Sequence, residues 1–193
     1  INTARGVGEG AGNKTAALIF GGKTPPGASQ DITESWDGSS WTEVNDLNTE
    51  RDSAGGAGTS TSALAFGGEN TAFINNTESW NGTSWTEVND LNTTRGVSGG
   101  NAGADNTSAL AFGGRTPPNT RVTNTESWNG SSWTEVNDLN TARTGLGGAG
   151  IVTAALAYGG GLPANTAVTE SWNGSSWTEV NDLNTARDEG GAN

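Results

Sequence analysis

Residues 33–49 read T-E-S-W-D-G-S-S-W-T-E-V-N-D-L-N-T, and the same segment recurs almost unchanged from Thr77, Thr125 and Thr169. A second motif, A-L-x-[FY]-G-G, precedes each copy. It begins at Ala17, Ala63, Ala109 and Ala155, so its successive occurrences are always 46 positions apart. Self-similarity at such a period indicates a repeat protein. We therefore predict a single domain over 1–193 with repeat units at about 6–51, 52–95, 96–143 and 144–187, followed by a partial overlapping strand at 188–193.

Each unit is predicted to contain four β-strands. Its apolar positions alternate with a period of two, and Gly, Asn, Thr and Ser are too frequent for a helix interior. In the A-L-A-F strand, Leu64 and Phe66 would face one side and Ala63 and Ala65 the other, so that the small residues leave room for a neighbour's bulk. The fold class is accordingly predicted to be all-β.

The W-N-G-S-S-W segment predicts a β-hairpin, because Asn-Gly accepts the positive φ angles of a tight turn. With a loop of either two or four residues, antiparallel pairing places both tryptophans of a hairpin on one face. These pairs are Trp36 with Trp41, Trp80 with Trp85, Trp128 with Trp133, and Trp172 with Trp177. At such regular positions we expect the tryptophans to pack between units rather than stack on sugars or cage a cation.

One strand of each unit consists almost wholly of small residues, with G-E-G-A-G from Gly8, G-G-A-G from Gly55, G-G-N-A-G from Gly99 and G-G-A-G from Gly147. Glycine weakens a strand, so crowding of these strands around a common axis is the expected reason for its presence. Four-stranded units of this length arranged radially are the blades of a β-propeller. The sequence thus predicts a propeller of four blades.

Each repeat has the same order of features: an arginine, a strand of small residues, an apolar strand ending in Gly-Gly, a strand with an acid and an aromatic residue, and a strand that begins with Trp. This order resembles the kelch repeat over essentially all 193 residues. One set of these features is Arg51, at the end of the first unit, followed by Gly67-Gly68, Glu78, Trp80 and Trp85 in the second unit. The resemblance implies kelch-like propeller blades, although kelch propellers usually have six or seven blades and this chain has four units. The W-N-G-S-S-W-T-E-V wording is also similar to repeats in structural and tail-fibre-like proteins of marine phages and metagenomes.

Both ends of the chain carry the junction that elsewhere links one unit to the next, as I-N-T-A-R at 1–5 and L-N-T-A-R at 183–187. This repetition favours a closed ring of four blades, because closure removes exposed sheet edges. The alternative is half of an eight-bladed ring that a second chain completes. We therefore expect a monomer, with a homodimer as the alternative.

The composition excludes much catalytic chemistry. The chain has no cysteine and no histidine, so it lacks the usual thiolate nucleophile, neutral-pH base and commonest metal ligand. Acids such as Glu34, Glu43 and Asp46 recur in every unit, without a differentiated catalytic pair or the spacing of a calcium loop. We expect no enzyme activity, cofactor or metal site, and we expect these acids to be solvated or to cap turns.

A formal net charge of −12 opposes binding to nucleic acid or to an anionic lipid surface. No apolar stretch is long enough for a membrane span, so membrane insertion is not expected. The repeated arginines are expected to make structural hydrogen bonds or to pair with a repeated acid rather than to form an anion-binding ring, and they are Arg5, Arg51, Arg95, Arg143 and Arg187.

The connection that follows Gly-Gly differs between units, while the hairpin is nearly constant. The four connections begin K-T-P-P-G-A-S, E-N-T-A-F-I-N, R-T-P-P-N-T-R and G-L-P-A-N-T-A. In a closed ring the two [KR]-T-P-P loops would stand diametrically opposite, on the same face as the junctions between units. A two-residue insertion near Asn101–Asp105 in the third unit is expected on that face as well.

Binding residues tend to lie on loops that a rigid scaffold holds, so this varied face is the candidate site. The predicted ligand-binding residues are Lys23, Pro25, Pro26, Phe73, Arg115, Pro117, Pro118 and Arg121. The expected function is a non-enzymatic binding module, extracellular or on a virion surface, that recognises a glycan or protein on a cell surface. The alternative is a structural or assembly unit of a fibre without a dedicated ligand.

Overall fold

A computed structural model describes residues 1–97, 100–161 and 164–188, and within these residues the regular secondary structure is entirely β. The strands, in chain order, are β1 (Glu9–Asn13), β2 (Ala16–Phe20), β3 (Lys23–Thr24), β4 (Ala28–Ser29), β5 (Thr33–Trp36), β6 (Trp41–Glu43), β7 (Gly55–Thr59), β8 (Ser62–Phe66), β9 (Thr77–Trp80), β10 (Trp85–Val88), β11 (Asn101–Asp105), β12 (Ser108–Phe112), β13 (Arg115–Thr116), β14 (Thr120–Arg121), β15 (Thr125–Trp128), β16 (Trp133–Glu135), β17 (Gly147–Ile151), β18 (Ala154–Tyr158), β19 (Thr169–Trp172) and β20 (Trp177–Val180). The predicted all-β class is confirmed.

Four of the six sheets are four-stranded, and each belongs to one repeat unit. We call them the first to fourth sheets, and their strand orders are β1-β2-β5-β6, β7-β8-β9-β10, β11-β12-β15-β16 and β17-β18-β19-β20. Every neighbouring pair is antiparallel, because each strand turns back on the one before it in the sheet. The short hairpins β3–β4 and β13–β14 lie in the connections of the first and third units. Residues 189–193 of the predicted overlapping strand, and Gly99, lie outside the described residues.

The tryptophan hairpins form as the sequence predicts. Trp80 and Trp85 are cross-strand partners with ring centroids 5.3 Å apart, so the loop between them has four residues. The side-chain oxygen of Asn81 accepts hydrogen bonds from the backbone amides of Thr83 and Ser84, both at 2.9 Å. Gly82 has a φ of 92°, a value that favours glycine at this point of the loop.

The sheets pack face to face through large residues on one side and small residues on the other. Leu64 and Phe66 share a buried cluster with the third sheet, while Ala63 and Ala65 share one with the first sheet, as the alternation predicts. Across each contact a phenylalanine meets a tryptophan of the next sheet edge-on, at centroid distances of 4.9 Å for Phe20–Trp85, 4.8 Å for Phe66–Trp133 and 4.9 Å for Phe112–Trp177. Such pairs add about 1 kcal/mol each beyond area burial.

The glycine-rich strands lie next to one another along one side of this stack, with β1 against β7, β7 against β11 and β11 against β17. A Cβ atom on Gly103 would lie 2.8 Å from the Cβ of Ala57 in the neighbouring sheet. At Gly148 a Cβ would collide with the backbone of Asn101. The predicted crowding therefore accounts for glycine at these positions.

The stack has two uncovered ends, and a closed ring is not found among the described residues. Leu18, Leu64 and Leu110 are at most 2% exposed, whereas the equivalent Leu156 of the fourth sheet is 42% exposed. In the first sheet Trp36 and Trp41 are only half-buried, although the six equivalent tryptophans of the other sheets are buried. None of the described residues forms a helix long and apolar enough to cross a membrane.

The third unit's two extra residues are divided between two places. One precedes Gly100, because three residues lie between Arg51 and Gly55 whereas four lie between Arg95 and Gly100. The other shifts the register of β11 against β12 between Gly103 and Asp105, beside the turn at the far end of the strand. The expectation that the insertion lies wholly on the junction face is therefore wrong.

A buried arginine at each junction joins consecutive sheets. The backbone amide of Arg51 donates to Gln30 of the first unit, and its guanidinium pairs with Glu78 of the second sheet at 2.6 Å. Neither side chain is more than 1% exposed. Burial lowers the pKa of Arg51, and the Glu78 carboxylate opposes that shift.

The same junction pair recurs as Arg5–Glu34, Arg95–Glu126 and Arg143–Glu170, at 2.7, 3.0 and 2.7 Å. Glu34 and Glu126 also accept the two backbone amides of the preceding Asn-Thr, as Glu78 does from Asn48 and Thr49, and Glu170 accepts the backbone amide of Asn140. The predicted pairing with a repeated acid is confirmed for Arg5, Arg51, Arg95 and Arg143, whereas among the described residues Arg187 pairs with no acid. The expectation of solvated or turn-capping acids is wrong for these glutamates. Asp46 does act as a cap, since its carboxylate accepts the backbone amide of Thr33 at the start of β5.

Replacing Glu78 with glutamine is expected to destabilise the protein by about 3–5 kcal/mol, because it leaves the buried Arg51 charge uncompensated. Urea unfolding followed by tryptophan fluorescence measures the change. The matched control is Glu43→Gln, an exposed acid of the same framework, which should change stability by less than about 0.5 kcal/mol. Equal effects of the two substitutions would contradict the assignment.

Glu9 lies on the glycine-rich strand β1, where its side chain packs beside Gly56 of the second sheet. Burial raises the pKa of Glu9 to about 7, against the opposing effects of the Gly10 amide and the Asn101 side chain. A carboxyl group whose pKa is raised on folding stabilises the fold below its unfolded-state pKa of 4.5, and this contribution is lost as the pH rises through about 7.

Between pH 5 and pH 8 the wild-type protein should therefore lose roughly 2–3 kcal/mol relative to Glu9→Gln, which cannot ionise. Urea titrations of both proteins across this pH range measure the difference. Parallel stability curves for the two proteins would show that Glu9 is not held in its protonated form.

Candidate functional site

The variable connections begin beside the junctions between units. Backbone bridges join Gly6 to Lys23, Asp52 to Glu69, Gly96 to Arg115 and Thr144 to Gly161. In each bridge the first residue directly follows one of the repeated arginines, and the second residue directly follows Gly-Gly. Junctions and connections consequently occupy one edge of the stack, which we call the connection face.

On the connection face Lys23 is held between two acids of the second unit. Its Nζ lies 3.2 Å from an Oδ2 of Asp52 and 3.8 Å from an Oε1 of Glu69. The Asp52 carboxylate is buried and also accepts hydrogen bonds from the hydroxyls of Ser29 and Ser53. Lys23 is therefore a partly exposed cation whose charge is compensated.

Arg115 reaches the same acid from the third unit. Its guanidinium donates to Glu69 Oε1 at 2.9 Å, and its Cζ lies 5.6 Å from the ring centroid of Phe73. Asn119 accepts a further, longer hydrogen bond at 3.4 Å from Arg115. Three predicted site residues from three successive units, Lys23, Phe73 and Arg115, are thus brought together around Glu69. The expectation that the two [KR]-T-P-P loops stand opposite one another is wrong, because both cations converge on this carboxylate.

A shallow depression of about 480 Å³ adjoins this cluster. One wall is formed by residues Ala4–Gly6, which precede β1. The other wall is formed by the β3–β4 hairpin, with Lys23, Thr24, Pro25 and Gly27. The depression is open to solvent and joins the predicted residues Lys23 and Pro25 in one concave surface.

The other predicted residues lie on the exposed tips of the two short hairpins. Pro26 follows Pro25 on the first hairpin, and Pro117, Pro118 and Arg121 are exposed on the hairpin β13–β14. Arg121 is the cross-strand partner of Arg115. These residues frame the connection face, and the structure gives them no contact with Glu69.

Sequence reasoning missed Asp52 and Glu69, the acids that organise the connection face. A usable pattern was present, since the residue after Gly-Gly is Lys23, Glu69, Arg115 and Gly161 in consecutive units. If neighbouring units stack in register, alternating charges at one position form a ladder of ion pairs. Recurrence does not mark these two acids, because no other complete unit has an acid at either position.

At the centre of this face the charges around Glu69 are compensated, while Arg121 is exposed on the neighbouring hairpin. The cations of Lys23 and Arg115 are each matched to a carboxylate, while hydroxyls, amides, Phe73 and the proline rings remain at the surface. In the described part of the chain, no three His, Cys, Asp or Glu side chains are grouped to hold a metal ion. The arrangement suits a ligand bound by hydrogen bonds and apolar contacts rather than by net charge.

Compared with protein-family models and with curated proteins, the sequence matches none.

Lys23 should react with an amine-acylating reagent several-fold more slowly than Lys14, because two carboxylates hold its ammonium group. These are the only lysines of the chain, and Lys14 is an exposed internal reference. Peptide mass spectrometry at short labelling times gives both rates. Asp52→Asn should bring the two rates together, whereas equal rates in the native protein would contradict the ion-pair cluster.

Proposed function

We propose that the four sheets are blades of a kelch-like β-propeller scaffold and that this scaffold is a non-enzymatic binding module. The module recognises a glycan or a protein on a cell surface through its connection face, and it works outside the cell or on a virion. The observation that carries the proposal is the convergence of three differing connections on Glu69, above a frame whose sheets are nearly identical.

A constant frame with one varied face is the arrangement expected of a binding scaffold. Loops that differ supply recognition, and the sheets beneath fix the loop positions. Here the ion pairs of Glu69 tie the connections of the first, second and third units to one another. The recognition surface is therefore partly ordered before a ligand binds, which reduces the entropy lost on binding.

The polar character of this face fits a glycan or a polar protein surface. Phe73 and the proline rings offer apolar faces, while Asn119 and Thr24 offer hydrogen-bonding groups beside them. The compensated charges of Lys23 and Arg115 contribute little attraction to anionic ligands, and the overall charge of −12 opposes such ligands further.

The absence of enzyme activity is part of the proposal. Glu34, Glu78, Glu126 and Glu170 are buried partners of the junction arginines, so their oxygens are already hydrogen-bonded. The acids Asp52 and Glu69 are likewise engaged by cations on the connection face. With no histidine or cysteine in the chain, this leaves little from which to build a nucleophile and base pair.

A second candidate function is an assembly unit of a fibre or surface protein. The observation that favours it is the uncovered face of the fourth sheet, where Ile151, Leu156 and Val180 are 46%, 42% and 42% exposed. Apolar surface of this kind marks interaction sites. The two functions are compatible, since the connection face and the ends of the stack are different surfaces.

The binding function is tested by screening the protein on a glycan array and on host-envelope preparations, with the double variant Lys23→Ala/Arg115→Ala beside the wild type. Loss of the two side chains also releases Glu69 and the connections that it holds, so binding should fall by about tenfold or more. The control is Lys14→Ala, which removes an exposed cation from the turn between β1 and β2, away from this face. Unchanged binding by the first variant, or equal loss by both, would refute the site.

A further inference from the structure

The uncovered face of the fourth sheet has the composition of a face that is buried everywhere else in the molecule. We call it the leucine face, and it consists of Leu156, Tyr158 and Leu183. The equivalent sets Leu18, Phe20 and Leu47 of the first unit and Leu110, Phe112 and Leu139 of the third unit are all buried against the next sheet. The three internal interfaces thus show what kind of surface covers a leucine face.

The matching surface is uncovered at the other end of the stack. We call it the tryptophan face, and it consists of Ala17, Ile19, Trp36 and Trp41 of the first sheet. Its equivalents in the second, third and fourth sheets are buried against the preceding leucine face, for example Ala109, Ala111, Trp128 and Trp133. The chain therefore exposes both halves of an interface that it builds three times internally.

We propose that a second copy of this chain docks head-to-tail, with its tryptophan face on the leucine face of the first copy. The contact is heterologous, so two copies that close on one another would form a ring of eight sheets, and copies that do not close would form a longer array. The proposal goes beyond ligand binding because it concerns the ends of the stack.

Polar groups at the two ends are complementary as well. At the internal interfaces a tryptophan indole donates to a threonine hydroxyl of the preceding sheet, in Trp85–Thr33, Trp133–Thr77 and Trp177–Thr125 at 3.0, 3.0 and 3.1 Å. Within the described residues the indole of Trp41 has no such acceptor, and the hydroxyl of Thr169 receives no indole. Docking would join these two groups.

A second polar contact follows the same rule. The side chains of Asn45, Asn89 and Asn137 donate to the hairpin carbonyls of Thr83, Ser131 and Ser175 in the next sheet. The remaining members of the two series are the exposed Asn181 and Ser39. They would meet in the docked pair, and they provide a local probe of it.

The junction arginines add a specific requirement. Arg187 is placed like the internal junction arginines, because its backbone amide donates to Thr166 and its carbonyl accepts from Gly160. Its guanidinium is exposed, and among the described residues it pairs with no acid. The carboxylate that it would reach in a second copy is Glu34, which that copy's own Arg5 occupies.

Residues 2–5 and 184–187 have the same sequence, Asn-Thr-Ala-Arg, so one can replace the other on Glu34. Docking therefore exchanges Arg5 for the Arg187 of the neighbouring copy, with no net loss of an ion pair. The exchange leaves the burial of the leucine and tryptophan faces as the driving force. Salt should strengthen the association, because each copy carries a charge of −12.

The experiment uses the absence of native cysteine. Two single-cysteine proteins, Ser39→Cys and Asn181→Cys, are mixed at physiological or higher salt and treated with a short bis-maleimide cross-linker. The matched control replaces the first protein by Thr83→Cys, since Thr83 is the exposed equivalent of Ser39 inside the stack. Docking predicts about tenfold more cross-linked heterodimer from the first mixture than from the control.

Equal yields from the two mixtures would overturn the proposal. The double variant Ser39→Cys/Asn181→Cys distinguishes docking between two copies from closure of one chain on itself. Closure within one chain would link the two cysteines of the same molecule and would give no heterodimer in the mixtures. That result would also overturn docking by a second copy. Sedimentation should show species of at least two 19.5 kDa copies, and a monomer at all concentrations would contradict the proposal.

Three variants test the mode of docking. Arg5→Ala frees Glu34 for a neighbour's Arg187 and should raise the heterodimer yield, whereas Arg187→Ala should lower it. Ile19→Ala restores the alanine that the other sheets have at this position and should also raise the yield, by deepening the tryptophan face. Thermal unfolding of each variant separates these effects from loss of folding. If Arg5→Ala folds but does not raise the yield, the exchange of arginines is wrong.

Discussion

The buried arginine–glutamate pair at each junction is the interaction on which the rest of the molecule depends. The backbone of Arg51 binds the first unit and its guanidinium enters the second sheet, so one residue fixes the position of both. An unpaired charge in this place would be costly, so the junction is specified more sharply than apolar packing alone would achieve. Small and large residues then meet in register, with Phe20 on Trp85 and its equivalents along the stack.

Registration of the sheets explains how single residues in different units form a site. Once the frame is aligned, the position after Gly-Gly in one unit lies beside the same position in the next. Lys23, Glu69 and Arg115 are then neighbours in space although 46 residues separate each from the next. The connection face and the two uncovered ends of the stack are both consequences of this repeated contact.

Much of the frame was predictable because it rests on patterns that recur. Alternation placed Leu64 and Phe66 opposite Ala63 and Ala65, and the Asn-Gly turn placed both tryptophans on one face. Asp52 and Glu69 could not be found in this way, because each acts through a residue of another unit and no other complete unit has an acid at its position. The two uncovered ends of the stack could not be predicted either. Whether a stack closes depends on the angle between neighbouring sheets, and the residue pattern does not determine that angle.

The most direct test of this account is a double-mutant cycle on Arg95 and Glu126, the junction pair at the middle of the stack. The free energy of unfolding is measured for Arg95→Met, Glu126→Leu and the combination of both. The account predicts that the double variant is more stable than the sum of the single effects by about 2–3 kcal/mol, since removing both charges leaves neither one unpaired. Additive effects within about 0.5 kcal/mol would show that the pair does not hold the sheets together.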